Sequence, residues 1–198
     1  GTELIKVTDM LKIKSITNVS LNKDGTKALF TVTVIEPDGD SKVEYKYVNQ
    51  VWMVNTDGGS APKQLTTKDG SSQASFSPDG KQIAFVSTRS SASNLLYPGR
   101  DRPLLGGDIW VMPALGGSAR RIVESGNFPS WSADGKTIIF TSGTSQFQLK
   151  LRRVDAQGGV PQDIPVKFKA DEPLAPFWFY SSYSSDMRWI SFEAEGNI

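Results

Sequence analysis

Ser75-Phe-Ser-Pro-Asp-Gly-Lys81, followed by Ile83-Ala-Phe-Val86, is the stretch whose reading decides the fold. Pro78 presets φ for a turn, the Asp79 carboxylate closes it, and Gly80 accepts the positive φ that such a turn demands. Every residue from Ile83 to Val86 is apolar. A strand made of them is apolar on both faces, which a sheet tolerates only when something packs on each side.

The pattern returns at fixed distances, the mark of a repeat architecture. Asp-Gly stands at Asp24-Gly25, Asp79-Gly80 and Asp134-Gly135, 55 residues apart each time. Four residues before each Asp is a Ser (Ser20, Ser75, Ser130), and three before it a large apolar residue (Leu21, Phe76, Trp131). Six residues after each Asp is a Phe (Phe30, Phe85, Phe140). A fourth copy lies 52 residues further on, with Ser182, Tyr183, Asp186 and Phe192; Met187 replaces the Gly, which leaves its turn geometry open. A second element also recurs. Val51-Trp-Met-Val54, Ile109-Trp-Val-Met112 and Leu151-Arg-Arg-Val154 are each followed by a Gly-Gly pair that begins six residues after Trp52, Trp110 and Arg152. More polar outer strands come next, at Gln64-Leu-Thr66, Arg121-Ile-Val123 and Asp163-Ile-Pro165.

Each unit reads as a four-stranded antiparallel meander. One such sheet cannot bury both faces alone, whereas sheets stacked around an axis can. The expected fold is therefore all-β, a β-propeller of four-stranded antiparallel blades. The rival is a β-sandwich with coincidental Asp-Gly turns, which the phase-locked offsets disfavour. Within a single domain over residues 1–198, blades are expected at about 16–67, 73–124, 128–166 and, cut short, 181–198. Trp52, Trp110, Trp131 and Trp189 are read as inter-blade packing. Phe177-Trp-Phe-Tyr180 reads as an innermost strand or interface core rather than a ligand box, while Lys167, Lys169, Asp171 and Glu172 before it look solvated. About three and a half blades cannot close a ring, because propellers have about 4 to 8. The chain accordingly reads as an incomplete propeller unless its N-terminus supplies strands; Leu4-Ile-Lys-Val7 and Leu11-Lys-Ile13 are strand-compatible. Open edges invite self-association.

Composition narrows the chemistry. The chain is 38% hydrophobic and 22% charged, with the balance of a soluble globular domain. Lys plus Arg is 22 and Asp plus Glu is 21, a net charge of +1, so no global field favours nucleic acid. The absence of Cys excludes disulfides and thiolate nucleophiles, and the absence of His excludes the Ser-His-Asp triad and nearly all zinc sites. The most apolar run, Pro173-Leu-Ala-Pro-Phe-Trp-Phe-Tyr180, is broken by two prolines and far short of the about 20 residues that a spanning helix needs. Membrane insertion is not expected, and neither is a cofactor. No Gly-x-Ser-x-Gly elbow, calcium loop or phosphate-binding Gly loop is present. The repeated Asp residues have turn roles and do not form a glycosidase pair. Catalysis by this chain is not expected.

Two insertions separate second from third strands. Glu36 to Val48 carries the turn Pro37-Asp-Gly-Asp40, and Lys42 to Val48 alternates as an extended hairpin would. Arg89 to Asp108 is longer and holds Arg89, Arg100 and Arg102 near Tyr97. A loop of that length in a compact repeat invites a functional reading: an arginine cluster at the propeller mouth for a carboxylate or a protein or peptide partner. The competing reading is a solvated loop with an internal Arg–Asp101 pair.

Phe76-Ser-Pro-Asp-Gly-Lys81 with Ile83-Ala-Phe-Val-Ser87, and Ile109-Trp-Val-Met112 with Gly116-Gly117, resemble the TolB-type propeller repeat. The resemblance covers about residues 16–166 and, weakly, 182–198. It implies a frame on which several functions sit. One is a non-catalytic, periplasmic or otherwise exported scaffold that engages protein or peptide. The other is the propeller portion of a larger hydrolase. In a prolyl-oligopeptidase-family peptidase the resemblance places Ser, Asp and His in a following α/β-hydrolase domain, with the propeller restricting access to small peptides. In an amidohydrolase-related protein it places metal ligands there instead.

Overall fold

The structure is a computed structural model that describes residues 7–40, 44–67, 70–89, 96–97, 100–103, 107–143, 149–165, 178–184 and 186–194. For strand residues 96–97, 100–103, 143, 149, 178–182 and 192–194 it describes the backbone alone. Blade one is a sheet of β1 (Ser15–Leu21), β2 (Lys27–Pro37), β3 (Tyr45–Asn55) and β4 (Lys63–Gln64), paired in chain order. Blade two contains β5 (Ser71–Phe76), β6 (Gln82–Ser87), β9 (Asp108–Pro113) and β10 (Arg120–Val123). Between β6 and β9, a separate ribbon pairs β7 (Leu96–Tyr97) with β8 (Arg100–Pro103). Blade three is β11 (Asn127–Trp131), β12 (Thr137–Gly143), β13 (Leu149–Asp155) and β14 (Gln162–Asp163). A fourth sheet pairs β15 (Trp178–Tyr183) with β16 (Ile190–Ala194).

All described pairings are antiparallel, and their register repeats. Phe30 lies opposite Trp52, Phe85 opposite Trp110, and Phe140 opposite Arg152. The Phe of each repeat thus occupies the same rung of successive sheets. Two apolar clusters glue the sheets together. Leu29 and Val51 of blade one meet Ala74, Phe76, Ile83, Phe85 and Met112 of blade two. Ala84, Val86, Ile109 and Val111, on blade two's other face, meet Trp131, Ile138, Phe140 and Val154 of blade three. Ile83, Ala84 and Phe85 are fully buried and Val86 is 1% exposed, as a strand sandwiched on both faces must be. Burial at this scale supplies most of the stabilisation, at about 25 cal/mol per Å² of apolar surface. β15 packs across β11, β12 and β13, so 178–180 of the Phe177–Tyr180 run lie in a strand at the blade three–blade four interface; Phe177 lies outside the described residues.

The turn between first and second strands is built on one plan four times, with a Ser in three copies and Asn22 in the first. In blade two the Ser77 hydroxyl donates to Asp79 Oδ1 at 2.6 Å and accepts the Gln82 N–H at 2.9 Å, while Asp79 Oδ1 also accepts the Lys81 N–H. Ser132, Asp134 and Lys136 repeat this in blade three. In blade one Asn22 replaces the Ser and accepts the Lys27 N–H through its side chain. The fourth copy has the same turn despite its missing Gly. Ser184 donates to Asp186, Arg188 N–H donates to Asp186 Oδ1, and Met187 takes φ of 57°, beside 70° for Gly80.

Three expectations are corrected. Residues 7–12 form a turn of 3-10 helix, not a strand, held by the Lys12–Asp9 ion pair at 2.7 Å; the i,i+3 attraction is local and closes a turn. Leu4 to Lys6 lie outside the described residues. Trp189 does not pack between blades: it is 70% exposed. It occupies the position of Lys27, Gln82 and Thr137, three residues after the turn Asp, where the backbone N–H is bonded back to the turn. Asp108 does not belong to the insertion but begins β9 and is buried. The first insertion is an extended hairpin, as its alternation implies. β2 and β3 stay paired from Lys27↔Asn55 out to Pro37↔Tyr45, five rungs past Val32↔Gln50, the counterpart of blade two's last rung Ser87↔Asp108.

Candidate functional site

An antiparallel meander sends its turns to two opposite ends. The Asp turns and the Gly-Gly turns share one end of each blade, and the connections from second to third strand leave at the other. Arg89, Tyr97, Arg100 and Arg102 therefore belong to the end away from the repeated Asp residues. Arg89 stands at the base of the insertion, two residues past β6. Its guanidinium carbon sits 4.8 Å from the Trp110 ring centre and 5.3 Å from that of Phe85, within cation–π range. Its Nε donates to Ser87 Oγ at 3.0 Å. Arg89 is thus laid along the blade one–blade two seam. Tyr97 and Arg100 are register partners in the β7–β8 ribbon, and Arg102 follows in β8. The side chains of Tyr97, Arg100 and Arg102 lie outside the described residues, as does Asp101.

The root of the insertion is fastened by charge. Asp108, 2% exposed at its side chain, pairs with Arg121 at 3.3 Å and accepts the Ser125 N–H at 3.0 Å. Arg121 reaches Glu124 as well, at 2.8 Å. Gly107 immediately before it passes so close to the Ser87 carbonyl that a Cβ there would stand 2.4 Å from the oxygen. The same third-to-fourth-strand clasp recurs with different chemistry in each blade. Gln50 accepts the Thr66 hydroxyl at 2.6 Å in blade one, and Lys150 donates to Asp163 at 2.6 Å in blade three. Sequence reasoning passed over these clasps because Gln50, Asp108 and Lys150 share a position but no side-chain chemistry. Position two before the repeated Trp or Arg is the signal that finds them.

At the turn end, Ser77–Asp79, Ser132–Asp134 and Ser184–Asp186 look superficially like nucleophile–base pairs. The chemistry is the reverse. The Ser hydroxyl bond comes first among the causes that hold each Asp carboxyl below its ordinary 3.8, and a backbone N–H comes second. An acid held that low is a weak base, and each Ser oxygen already accepts a backbone N–H. These pairs stiffen turns. A cleft of about 430 Å³ lies between the blades at this end, lined by residues that include Lys81, Gln82, Met112, Arg120 and Gln157. Arg120 spans it, donating to the Ala156 carbonyl and to Gln157 Oε1. A counterpart of about 270 Å³ in the next repeat, lined by residues such as Thr137, Arg153 and Gln162, marks both as products of the repeat.

Among the described residues, no group of three or more acidic, Cys or His side chains could hold a metal ion. No described helix is long and apolar enough to cross a membrane. No family model matches the chain. Over 143 residues, 70% of this chain, it is 30% identical to the "Uncharacterized peptidase YuxL" of Bacillus subtilis (strain 168), of which it spans 19%. Among solved structures, it is similar to a putative TolB from Agrobacterium tumefaciens, with TM-score 0.58 and 17% identity over 91% of this chain and 54% of that one. A Mycobacterium tuberculosis puromycin-hydrolyzing peptidase superposes with TM-score 0.60 and 14% identity, over 90% of this chain and 28% of that one. At these identities the structural likeness establishes the fold, a TolB-type β-propeller.

Proposed function

With the TolB-type propeller fold as the premise, we propose that this chain is the propeller portion of a larger peptidase, in which it shapes substrate access and supplies no catalytic group. The observation that carries the reading is the 30% identity to a peptidase of which this chain spans under a fifth. The chain's own composition agrees: without His or Cys it lacks the usual base and thiol of peptide hydrolysis. The division into one partial propeller with blades at 16–67, 73–124, 128–166 and 181–198 belongs to the same proposal. So does a contact from Arg89, Tyr97, Arg100 and Arg102 to a peptide carboxylate, since guanidinium groups suit that anion.

The test is activity-based labelling. The purified 198-residue chain should neither react with a fluorophosphonate probe nor release naphthylamide from aminoacyl or acyl-aminoacyl substrates, whereas the product of the complete reading frame should do both. Turnover by the 198-residue chain alone would overturn the reading. A complete product that binds peptide but takes no probe would favour a second reading, which the likeness to the TolB structure supports: a protein-binding scaffold exported to the periplasm. Arg100→Ala with Arg102→Ala should weaken capture of an acidic peptide; unchanged binding would return that loop to plain solvated structure.

A further inference from the structure

The extended hairpin of blade one, β2 with β3, has two edges that are finished differently. On the β3 side, Val51 donates its N–H to the Thr66 hydroxyl and its carbonyl accepts the Leu65 N–H, so its backbone faces β4. The β2–β3 register is unbroken, so every second residue of β3 faces the same way: Asn49, Tyr47 and Tyr45. The bond from the Asp38 N–H to the Glu44 carbonyl fixes the same phase at the tip, because bonded and non-bonded rungs alternate. β4 pairs only with Trp52 and Met53. Among the described residues, nothing pairs with the outward N–H and C=O groups of Tyr45, Tyr47 and Asn49. The β2 edge is closed by contrast. Thr33 pairs with Ser15, Pro37 has no N–H to offer, and the 3-10 turn Val7–Lys12 packs against β2. Edge strands are ordinarily blunted in such ways. β3 is not, and Tyr45 and Tyr47 on it are 46% and 67% exposed.

We propose that the Tyr45–Asn49 edge of β3 takes up an extended, basic peptide segment of a partner protein as an added strand. Main-chain groups of alternate residues then supply the binding, and side chains supply the selection. Tyr45 and Tyr47 lie on one face of the strand, where they favour apolar or aromatic residues at alternate positions of the segment. Charge sets the rest. The hairpin tip carries Glu36, Asp38, Asp40 and Glu44 against Lys42 and Lys46, and Lys46 is held by Asp38 at 3.1 Å. An excess of acid suits a segment with Lys or Arg, whereas a second copy of this chain would bring the same acids. The proposal uses no group of the peptidase reading and stands apart from it.

The test is amide NMR of the labelled 198-residue chain, titrated with a blocked heptapeptide of alternating Val and Thr with a central Lys. Amide exchange should slow at Tyr45, Tyr47 and Asn49 and stay unchanged at Lys46 and Val48, whose N–H groups already face β2. A central Glu in place of the Lys should weaken binding roughly threefold. Methylating the peptide N–H groups on both edges should weaken it roughly tenfold, the order of a lost hydrogen bond or two. Tyr47→Pro should do the same from the protein side. The Tyr47 N–H faces away from β2, so that variant should keep its circular dichroism spectrum and melting temperature. Should the hairpin unfold in the variant, the methylated peptide carries the same test. No saturable shift with the Lys peptide, protection away from this edge, or equal binding of the methylated peptide would overturn the proposal. Dimerisation through the same amides, abolished by Tyr47→Pro, would overturn it in favour of a second copy.

Discussion

Replacing Phe85 and Phe30 by Ala, one at a time, probes the stacking of blades most directly. The two occupy the same rung, each opposite a Trp. Phe85 is fully buried between blades one and two, beneath the Arg89 guanidinium. Deleting its ring removes the transfer energy and leaves a cavity that the neighbouring sheets cannot collapse, at a cost of about 3–5 kcal/mol. Phe30 lies half-buried on the outward face of blade one. There the site opens to water, no sealed cavity forms, and about half the transfer energy is lost, about 1–1.5 kcal/mol. The difference is roughly 2–3 kcal/mol. For a chain of this size 1 kcal/mol moves the melting temperature by about 2–4 °C, so the two variants should melt about 5–10 °C apart. Tryptophan emission reports the transition, since the chain has five Trp. Equal losses for both variants would refute the reasoning, because they would mean that the outward face of blade one is packed like the seams.

Four further outcomes are expected. Met187→Gly should stabilise the fourth turn by roughly 0.5–1 kcal/mol, the left-handed penalty of a non-Gly residue less the entropy of Gly, and should slow hydrogen exchange across residues 184–189. Asp108→Ala, which takes the buried acceptor away from the Ser125 N–H and leaves Arg121 only Glu124, should cost about 1–3 kcal/mol by urea denaturation, while removal of the exposed Asp163 carboxylate should barely register. Trp131→Phe deletes the Nε1 bond to the Ser75 carbonyl at 3.2 Å and should cost about 0.5–1.5 kcal/mol, read as a lower urea midpoint. Stability should hold from pH 7 to pH 5 and fall below about pH 4. Asp24, Asp79, Asp134 and Asp186 have folded pKa values below the ordinary 3.8, so their contribution is present above the unfolded value and lost as pH falls through the folded ones. Asp79→Asn should make that acid limb shallower, and a loss beginning near pH 6 would contradict the assignment.

The turns were legible in the sequence because they are local. Asp at one offset and Gly at the next specify φ, and the carboxylate finds its backbone N–H two residues on. In blades two to four the Ser that completes the turn is two residues before the Asp, not the Ser four before it that the repeat displays in every copy. Ser75 instead reaches the Pro129 carbonyl of the next blade at 3.2 Å. From blade two onward both serines recur at the same offsets from the Asp, so spacing alone cannot separate a turn partner from a partner across the seam. Met187 was illegible for another reason: the hydrogen bonds of Ser184 and Asp186 impose the positive φ that a Gly would have adopted freely. Arg89 is legible as a cation, but its place above Trp110 and Phe85 depends on rings brought together by strand pairing.

What the amino-acid order determined by itself was the repeat. Short-range turn chemistry and apolar strands need no distant information, and together they demand sheets that are covered on both sides. Tertiary structure decided which faces find a cover. Phe30, Phe85 and Phe140 are one letter at one period, yet two are sealed in seams and one looks outward. Burial is a property of what lies opposite a side chain, and nothing within a residue's own stretch of sequence states what that will be.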